Sequence, residues 1–329
     1  MVELVEERKL PEKSSSISKY TSFGVFKANG SFYSDMIFVP PEVIVDSYRI
    51  SYPLIKSSRL TSKSRGGVGK ELSNGWALNF AVGCTHGCIF CYVDSIHKRF
   101  GKHRYGSKIE GKWGDYFLIP NNIEEAIEKT PWYRWKNREV LLSSTHDPYL
   151  PQLAPITRII LEKALPAGVK FCIQTRSPLV IKDFDVLAKY AKNIRLQVSI
   201  ATMNNSFSRL IEPRVAPPMA RLNIIKKAKE SGLETGVILA PIFPPTKMRP
   251  DVKEDLNEIM RQLALIKPDH IYGESLHIRG GNVRLIGQVL GEVLTDFKTF
   301  ESEIKYLFKS KLREYGLKGT WWPEHRYFK

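Results

Sequence analysis

The sequence predicts an α/β chain whose core is a parallel sheet rolled into a closed or partly closed barrel. Three observations predict it. From Trp76 onward, short apolar segments alternate with helix-like stretches. Repeated strand–helix units imply parallel strands joined by right-handed crossovers, and six such units are enough to curl a sheet round. At 43% hydrophobic residues, a chain of 329 residues can bury a sizeable core.

The elements follow in order. Residues 1–73 read as an extension. Within it, FGVFKANGSFYSDMIFV carries strand-like residues around a turn at Asn29–Gly30. The basic, glycine-containing SSRLTSKSRGGVGKEL reads as a linker, or a loop that orders on binding. Residues 74–283 form the core. Its predicted strands are Ala77–Val82, Glu139–Ser144, Val169–Thr175, Ile194–Ala201, Glu234–Ala240 and His270–Tyr272. Helix patterns run from Ile156 to Leu165 and from Asp183 to Lys192. A third opens at Pro217–Pro218 and stops at Gly232, the placement that helix ends favour. A fourth begins near Asp251 and puts Leu256, Ile259, Met260 and Leu263 on one face. After Gly280–Gly281, residues 284–329 form a C-terminal helical extension, with a core-facing stripe through Phe297, Phe300, Ile304, Leu307, Phe308, Leu312 and Tyr315. The closing TWWPEHRYFK mixes aromatics with base and is expected to pack on the barrel.

The formal charge is +16, from 50 Lys and Arg against 34 Asp and Glu. Such a surface attracts polyanions, nucleic acid first, although plain solubility explains it equally well. No apolar run is long enough to span a bilayer, and MVELVEERKLPEKSSS lacks the apolar stretch of a secretory signal, so the expected location is the cytoplasm.

The chain has four cysteines, three of them within GCTHGCIFCYVD. A disulfide framework would spread its cysteines through a small secreted chain, so this clustering points to a metal. Cys84, Cys88 and Cys91 follow a predicted strand, at the end where barrels of this kind keep their chemistry. Thiolates favour iron–sulfur clusters and zinc. Three of them on a four-iron cube leave one iron open. The alternative is a structural zinc completed by His86 or His97. Structural zinc usually shows paired two-residue spacings and a second distant pair, which this chain lacks.

CTHGCIFC matches the CxxxCxxC signature of the radical S-adenosylmethionine (SAM) superfamily, down to Phe90 before the third cysteine. NFAVGCTHGCIFCYVDS, STHDPYLP, QTRSPLVIKD, VSIAT with IEPR downstream, and ILAPIFP resemble its spore-photoproduct-lyase-like branch, in order, over residues 74 to 245. The resemblance implies a partial (β/α)6 TIM-type barrel and a [4Fe–4S] cluster on Cys84, Cys88 and Cys91. It also implies SAM bound to the open iron and cleaved reductively to a 5′-deoxyadenosyl radical. By resemblance, Thr145, His146 and Asp147 face the SAM amino group. Arg176 faces its carboxylate and ribose, and Ser199 its ribose. Ala240 and Phe90 line the adenine. Glu212 and Arg214, the E-P-R segment, pair with each other or with SAM. Tyr92 takes part in radical transfer. A ferredoxin or flavodoxin is the implied reductant, and DNA repair the implied activity. One departure stands out. Where the lyase of this branch carries a hydrogen-donating cysteine, this chain has Ser144, whose O–H bond is too strong for that relay; Cys172 lies in a strand and reads as buried and inert.

Two segments interleave base and aromatics, as nucleic-acid surfaces do. HKRFGKHRYGSK carries Lys98, Arg99, Phe100, Lys102, Arg104, Tyr105 and Lys108, and PWYRWKNR carries Trp132, Arg134, Trp135 and Lys136. The leading expectation is radical chemistry on DNA or RNA. A peptide or small metabolite, or a non-catalytic nucleic-acid-binding role, are the alternatives.

Overall fold

The computed structural model describes residues 44–45, 48–58, 73–276 and 282–322. The Asn29–Gly30 turn, nearly all of the basic linker, Gly280–Gly281 and the residues after Trp322 lie outside the described residues. In chain order the strands are β1 (Ile44–Val45), β2 (Ile55–Ser57), β3 (Trp76–Leu78), β4 (Val82–Gly83), β5 (Phe117–Ile119), β6 (Glu139–Leu142), β7 (Lys170–Thr175), β8 (Ile194–Ser199), β9 (Glu234–Ile242), β10 (His270–Ser275) and β11 (Gly319–Trp321). The helices are α1 (Val93–Phe100), α2 (Lys102–Tyr105), α3 (Ile123–Glu128), α4 (Ala154–Ala164), α5 (Phe184–Lys189), α6 (Asn205–Ile211), α7 (Pro218–Glu230), α8 (Val252–Ile266), α9 (Asn282–Leu290) and α10 (Phe297–Glu314).

The main sheet runs β2-β3-β6-β7-β8-β9-β10-β11. Every neighbouring pair is parallel except β2 with β3. The two ends do not pair among the described residues, so this is the partial barrel that the sequence predicts. Strand parity explains its two faces. Phe171, Ile173, Leu196, Val198, Val237, Leu239 and Ile271 are fully buried on the side covered by helices. The alternate residues, among them Gln174, Arg195, Gln197 and Tyr272, face the barrel interior.

Capping follows local chemistry. α7 starts with Pro218, and Gly232 beyond its end has φ +74°. α8 is capped by the Asp251 carboxylate, which accepts from the Glu254 N–H at 2.8 Å. Its predicted face, Leu256, Ile259, Met260 and Leu263, is buried.

Two differences from the sequence reading position the site. The predicted strand Ala77–Val82 breaks in two. Trp76–Leu78 stays in the main sheet, while Val82–Gly83 pairs antiparallel with β5 in a second sheet, ordered β1-β5-β4. Gly83 allows the switch: its φ is +86°, and a Cβ there would lie 2.2 Å from the Tyr116 carbonyl oxygen. The C-terminal segment is helical but also ends in β11, which extends the main sheet beside β10. Ile304, Phe308 and Leu312 of α10 are buried, and Phe308 packs edge-on against Trp321 at 5.4 Å. Among the described residues no helix is long and apolar enough to cross a membrane.

Candidate active site

The loop after β3 and the C-terminal ends of β6 to β10 enclose a cavity of ≈ 280 Å³. Cys84, Cys88 and Cys91 all line it. None is in a disulfide; the first two are buried and the third half-buried. Tight turns bring them round: the Gly87 N–H donates to the Cys84 carbonyl at 3.3 Å, and the Cys91 N–H to the Cys88 carbonyl at 3.1 Å. Gly87, at φ +63°, supplies the left-handed step between them. Arg214 pins the loop from outside. It donates to the Thr85 carbonyl at 3.3 Å and to the Gly114 carbonyl, and it pairs with Asp115 at 2.7 Å.

Burial pushes the Cys84 and Cys91 thiols up to about 12, helped by the charges of Asp147 and Cys88 respectively. Thiols so placed hold their protons until a metal displaces them. Among the described residues, no three His, Cys, Asp or Glu side chains converge to hold a single ion. A cubane asks for something else, each thiolate on a different iron around a shared core. Three thiols in one short loop, all facing one cavity, fit that requirement. The two histidines of the zinc alternative have other neighbours. The His97 Nδ1 lies 3.4 Å from the Tyr116 hydroxyl, and burial lowers its pKa to about 4, against a smaller opposing pull from Asp94. The His86 Nδ1 faces the Asp147 carboxylate at 3.6 Å.

Asp147 is a bolt between loops. Its Oδ1 accepts from the Tyr149 N–H at 2.9 Å and from the Thr175 hydroxyl at 2.7 Å. Its Oδ2 accepts from the Arg176 N–H at 2.7 Å. Asp147 therefore shapes the turn that leads to Tyr149 and also lines the cavity wall. Arg176 also lines the cavity; its Nε donates to Glu212 Oε1 at 2.8 Å, and its guanidinium lies 5.8 Å from the Phe90 ring. Glu212 is buried behind it. Its other oxygen accepts from Arg221 Nη2 at 2.7 Å, and Arg221 Nη1 donates to the Ser199 carbonyl at 2.9 Å. Burial opposes the charge on Glu212, but Arg221 and Arg176 outweigh it and hold the carboxyl below its ordinary value. Glu212 and Arg214 thus find different partners, and neither lines the cavity.

Phe90, Tyr92, Thr145, His146, Ser199 and Ala240 do line it. The His146 ring packs edge-on against Phe80 at 4.8 Å, and burial, then His97, lowers its pKa to about 3. The Tyr92 hydroxyl donates to the Ser144 carbonyl at 2.9 Å, and the Ser144 N–H donates to Asn79 Oδ1 at 2.8 Å. Cys172 is fully buried with Ala77 and Leu141.

The sequence reading passed over Gln174, Gln197, Tyr272, Glu274, Trp113 and Trp322, which share the cavity wall. Strand parity was the available signal: polar residues at alternate positions of strands whose other face is apolar point into a barrel. The two basic segments part company. Phe100 is 62% exposed with Arg99 over its ring at 5.2 Å, on the helix that leaves the cluster loop. PWYRWKNR leads into the start of β6, at the opposite end of the strands. Its tryptophans are core residues: Trp132 donates to the Ile127 carbonyl at 3.2 Å, and Trp135 packs on Trp76.

Comparisons with known proteins agree with this fold. The sequence pattern of the radical SAM superfamily matches residues 78–259. An uncharacterised protein of Acidianus two-tailed virus is 58% identical over 283 residues, 86% of this chain and 94% of the viral one. An uncharacterised protein of Methanocaldococcus jannaschii is 25% identical over 171 residues, 51% of this chain and 61% of that one. Among solved structures, a spore photoproduct lyase double mutant with bound AdoMet and dinucleoside spore photoproduct matches with a TM-score of 0.59. At 15% identity, over 85% of this chain and 81% of that one, the likeness speaks to fold.

Proposed function

The chain belongs to the radical SAM superfamily, whose members use a [4Fe–4S] cluster and SAM, and from that premise we propose a lyase-like enzyme acting on nucleic acid. The observation that carries this reading is the cavity that gathers three thiols, the Arg176 cation and the Ser199 hydroxyl at the C-terminal mouth of the barrel. When bound and reduced, the cluster supplies the electron that cleaves SAM and yields a 5′-deoxyadenosyl radical.

The chain's own residues hold and orient. Cys84, Cys88 and Cys91 would hold the cluster through three thiolates, which would leave it an open position for SAM. Arg176, braced by Glu212, pairs with the SAM carboxylate. Ser199 meets the ribose, while Phe90 and the Ala240 backbone enclose the adenine. Thr145, His146 and Asp147 form the rim near the amino group, Asp147 mainly by keeping that rim in shape. Glu212 and Arg214 serve as frame. Tyr92, held by its bond to the Ser144 carbonyl, is the residue proposed for radical transfer.

Support for nucleic acid comes from the +16 charge and from Arg99 and Phe100, exposed at the end of the helix that leaves the cluster loop. The dinucleoside photoproduct bound to the structural neighbour points the same way. DNA repair is the proposed role, in the reducing cytoplasm, with a ferredoxin or flavodoxin as electron donor.

The test is anaerobic reconstitution, then reduction with SAM in the presence of intact or damaged DNA and RNA. Release of 5′-deoxyadenosine carrying deuterium from labelled nucleic acid is expected. Cys88→Ala should abolish that release. Anaerobically purified protein holding zinc and no iron would overturn the reading, as would nucleic-acid affinity without any SAM cleavage.

A further inference from the structure

We propose that the barrel interior is a base-reading subsite, in which Gln174, Gln197 and Glu274 take one extruded nucleobase by a donor-bearing edge. This rests on the nucleic-acid reading above and adds to it what the enzyme recognises. The row arises from register. Gln174 on β7 and Gln197 on β8 are partners in the parallel ladder, and both face the cavity. Gln174 Nε2 donates to Gln197 Oε1 at 2.8 Å, which holds the two amides side by side. Gly236, next across on β9, makes room: a Cβ there would lie 3.0 Å from Gln197 Cγ. Below them Arg195 is clamped by Glu139 at 2.9 and 3.0 Å and donates to the Tyr272 hydroxyl at 3.2 Å. Tyr272 and Glu274, two positions apart on β10, line the same cavity.

The chemistry selects the ligand class. Paired amides match a planar edge of alternating donors and acceptors, as a nucleobase presents. An ionised carboxylate only accepts hydrogen bonds, so Glu274 favours a base edge with an amino or ring N–H group.

The test uses reconstituted holoenzyme with SAM and short single-stranded DNA and RNA, read by fluorescence anisotropy. Each oligonucleotide carries one of the four bases, or an abasic site, at its centre. Strands with a base at the centre should bind about tenfold tighter than the abasic strand. Glu274→Gln should reorder the bases while leaving abasic affinity within about twofold, since it replaces a pure acceptor by a mixed amide. Gln174→Leu, which removes the Gln174–Gln197 bond, should erase the preference for base over abasic site and serves if the first variant does not fold. Equal affinity for base and abasic site, or an unchanged order in Glu274→Gln, with SAM cleavage intact, overturns the subsite alone. Failure of every strand to bind overturns both the subsite and the nucleic-acid reading.

Discussion

At Glu212 two guanidiniums meet one carboxylate. The side chains of Glu212 and Arg221 have no exposed surface, and Arg176 is the member that reaches the cavity. Removing one partner of such a pair strands a buried charge. Arg221→Met is accordingly expected to lower stability by about 3–5 kcal/mol, read from urea unfolding. It should also weaken SAM binding, because Arg176 and the Ser199 carbonyl lose a common brace. The pH dependence has a definite sign. The Glu212 carboxyl sits below its ordinary value in the folded chain, so its contribution is complete above that value and is lost as pH falls through the depressed one. Glu212→Gln should flatten the acid limb of the stability profile, measured by unfolding at stepped pH. Legibility differs sharply among these residues. The cysteines were readable because ligation by one short loop is local. Arg221 sits on α7 and reads as an ordinary helix cation; only folding brings Glu212 and the Ser199 carbonyl to it. The E-P-R segment was legible as a motif, but its partners were not, since they come from the residue after β7, from α7, from the cluster loop and from the loop before β5.

Among the elements, the loop between β3 and α1 depends most on one residue. Gly83→Ala is expected to cost about 2–3 kcal/mol and to reduce the iron retained after reconstitution, because the added methyl meets the Tyr116 backbone. Thermal unfolding and iron content check the two effects separately. The alternating strands and helices of the barrel were legible because each carries its own period and its own caps, as Asp251 and Gly232 do. The short strands β2, β4, β5 and β11 were not. Two or three residues hold no period, and they become strands only through partners far along the chain. The polar row Gln174, Gln197 and Glu274 escaped for a related reason: it exists only when β7, β8 and β10 are laid in register.

For the whole molecule, the two ends of the barrel make a controlled comparison. The cavity opens at the C-terminal ends of the strands, and the helix that leaves the cluster loop there ends in Arg99 and Phe100. Exposed Tyr133 and Arg134 stand at the other end. Arg99→Ala with Phe100→Ala should weaken single-stranded nucleic acid binding about tenfold and shrink its salt slope, by roughly 0.7 for each phosphate that is no longer neutralised. Tyr133→Ala with Arg134→Ala should leave both unchanged. A salt titration of anisotropy compares them directly. The net charge alone could not tell these ends apart, since composition counts cations without saying where the chain carries them.

Trp322 donates its N–H to the Gly273 carbonyl at 2.7 Å and closes part of the cavity wall, immediately after β11 has joined the sheet. A ribosome makes the thiolate loop long before it makes this tryptophan. Among the described residues β11 is the last strand to emerge, so one side of the chamber is completed only after all three cysteines have been made.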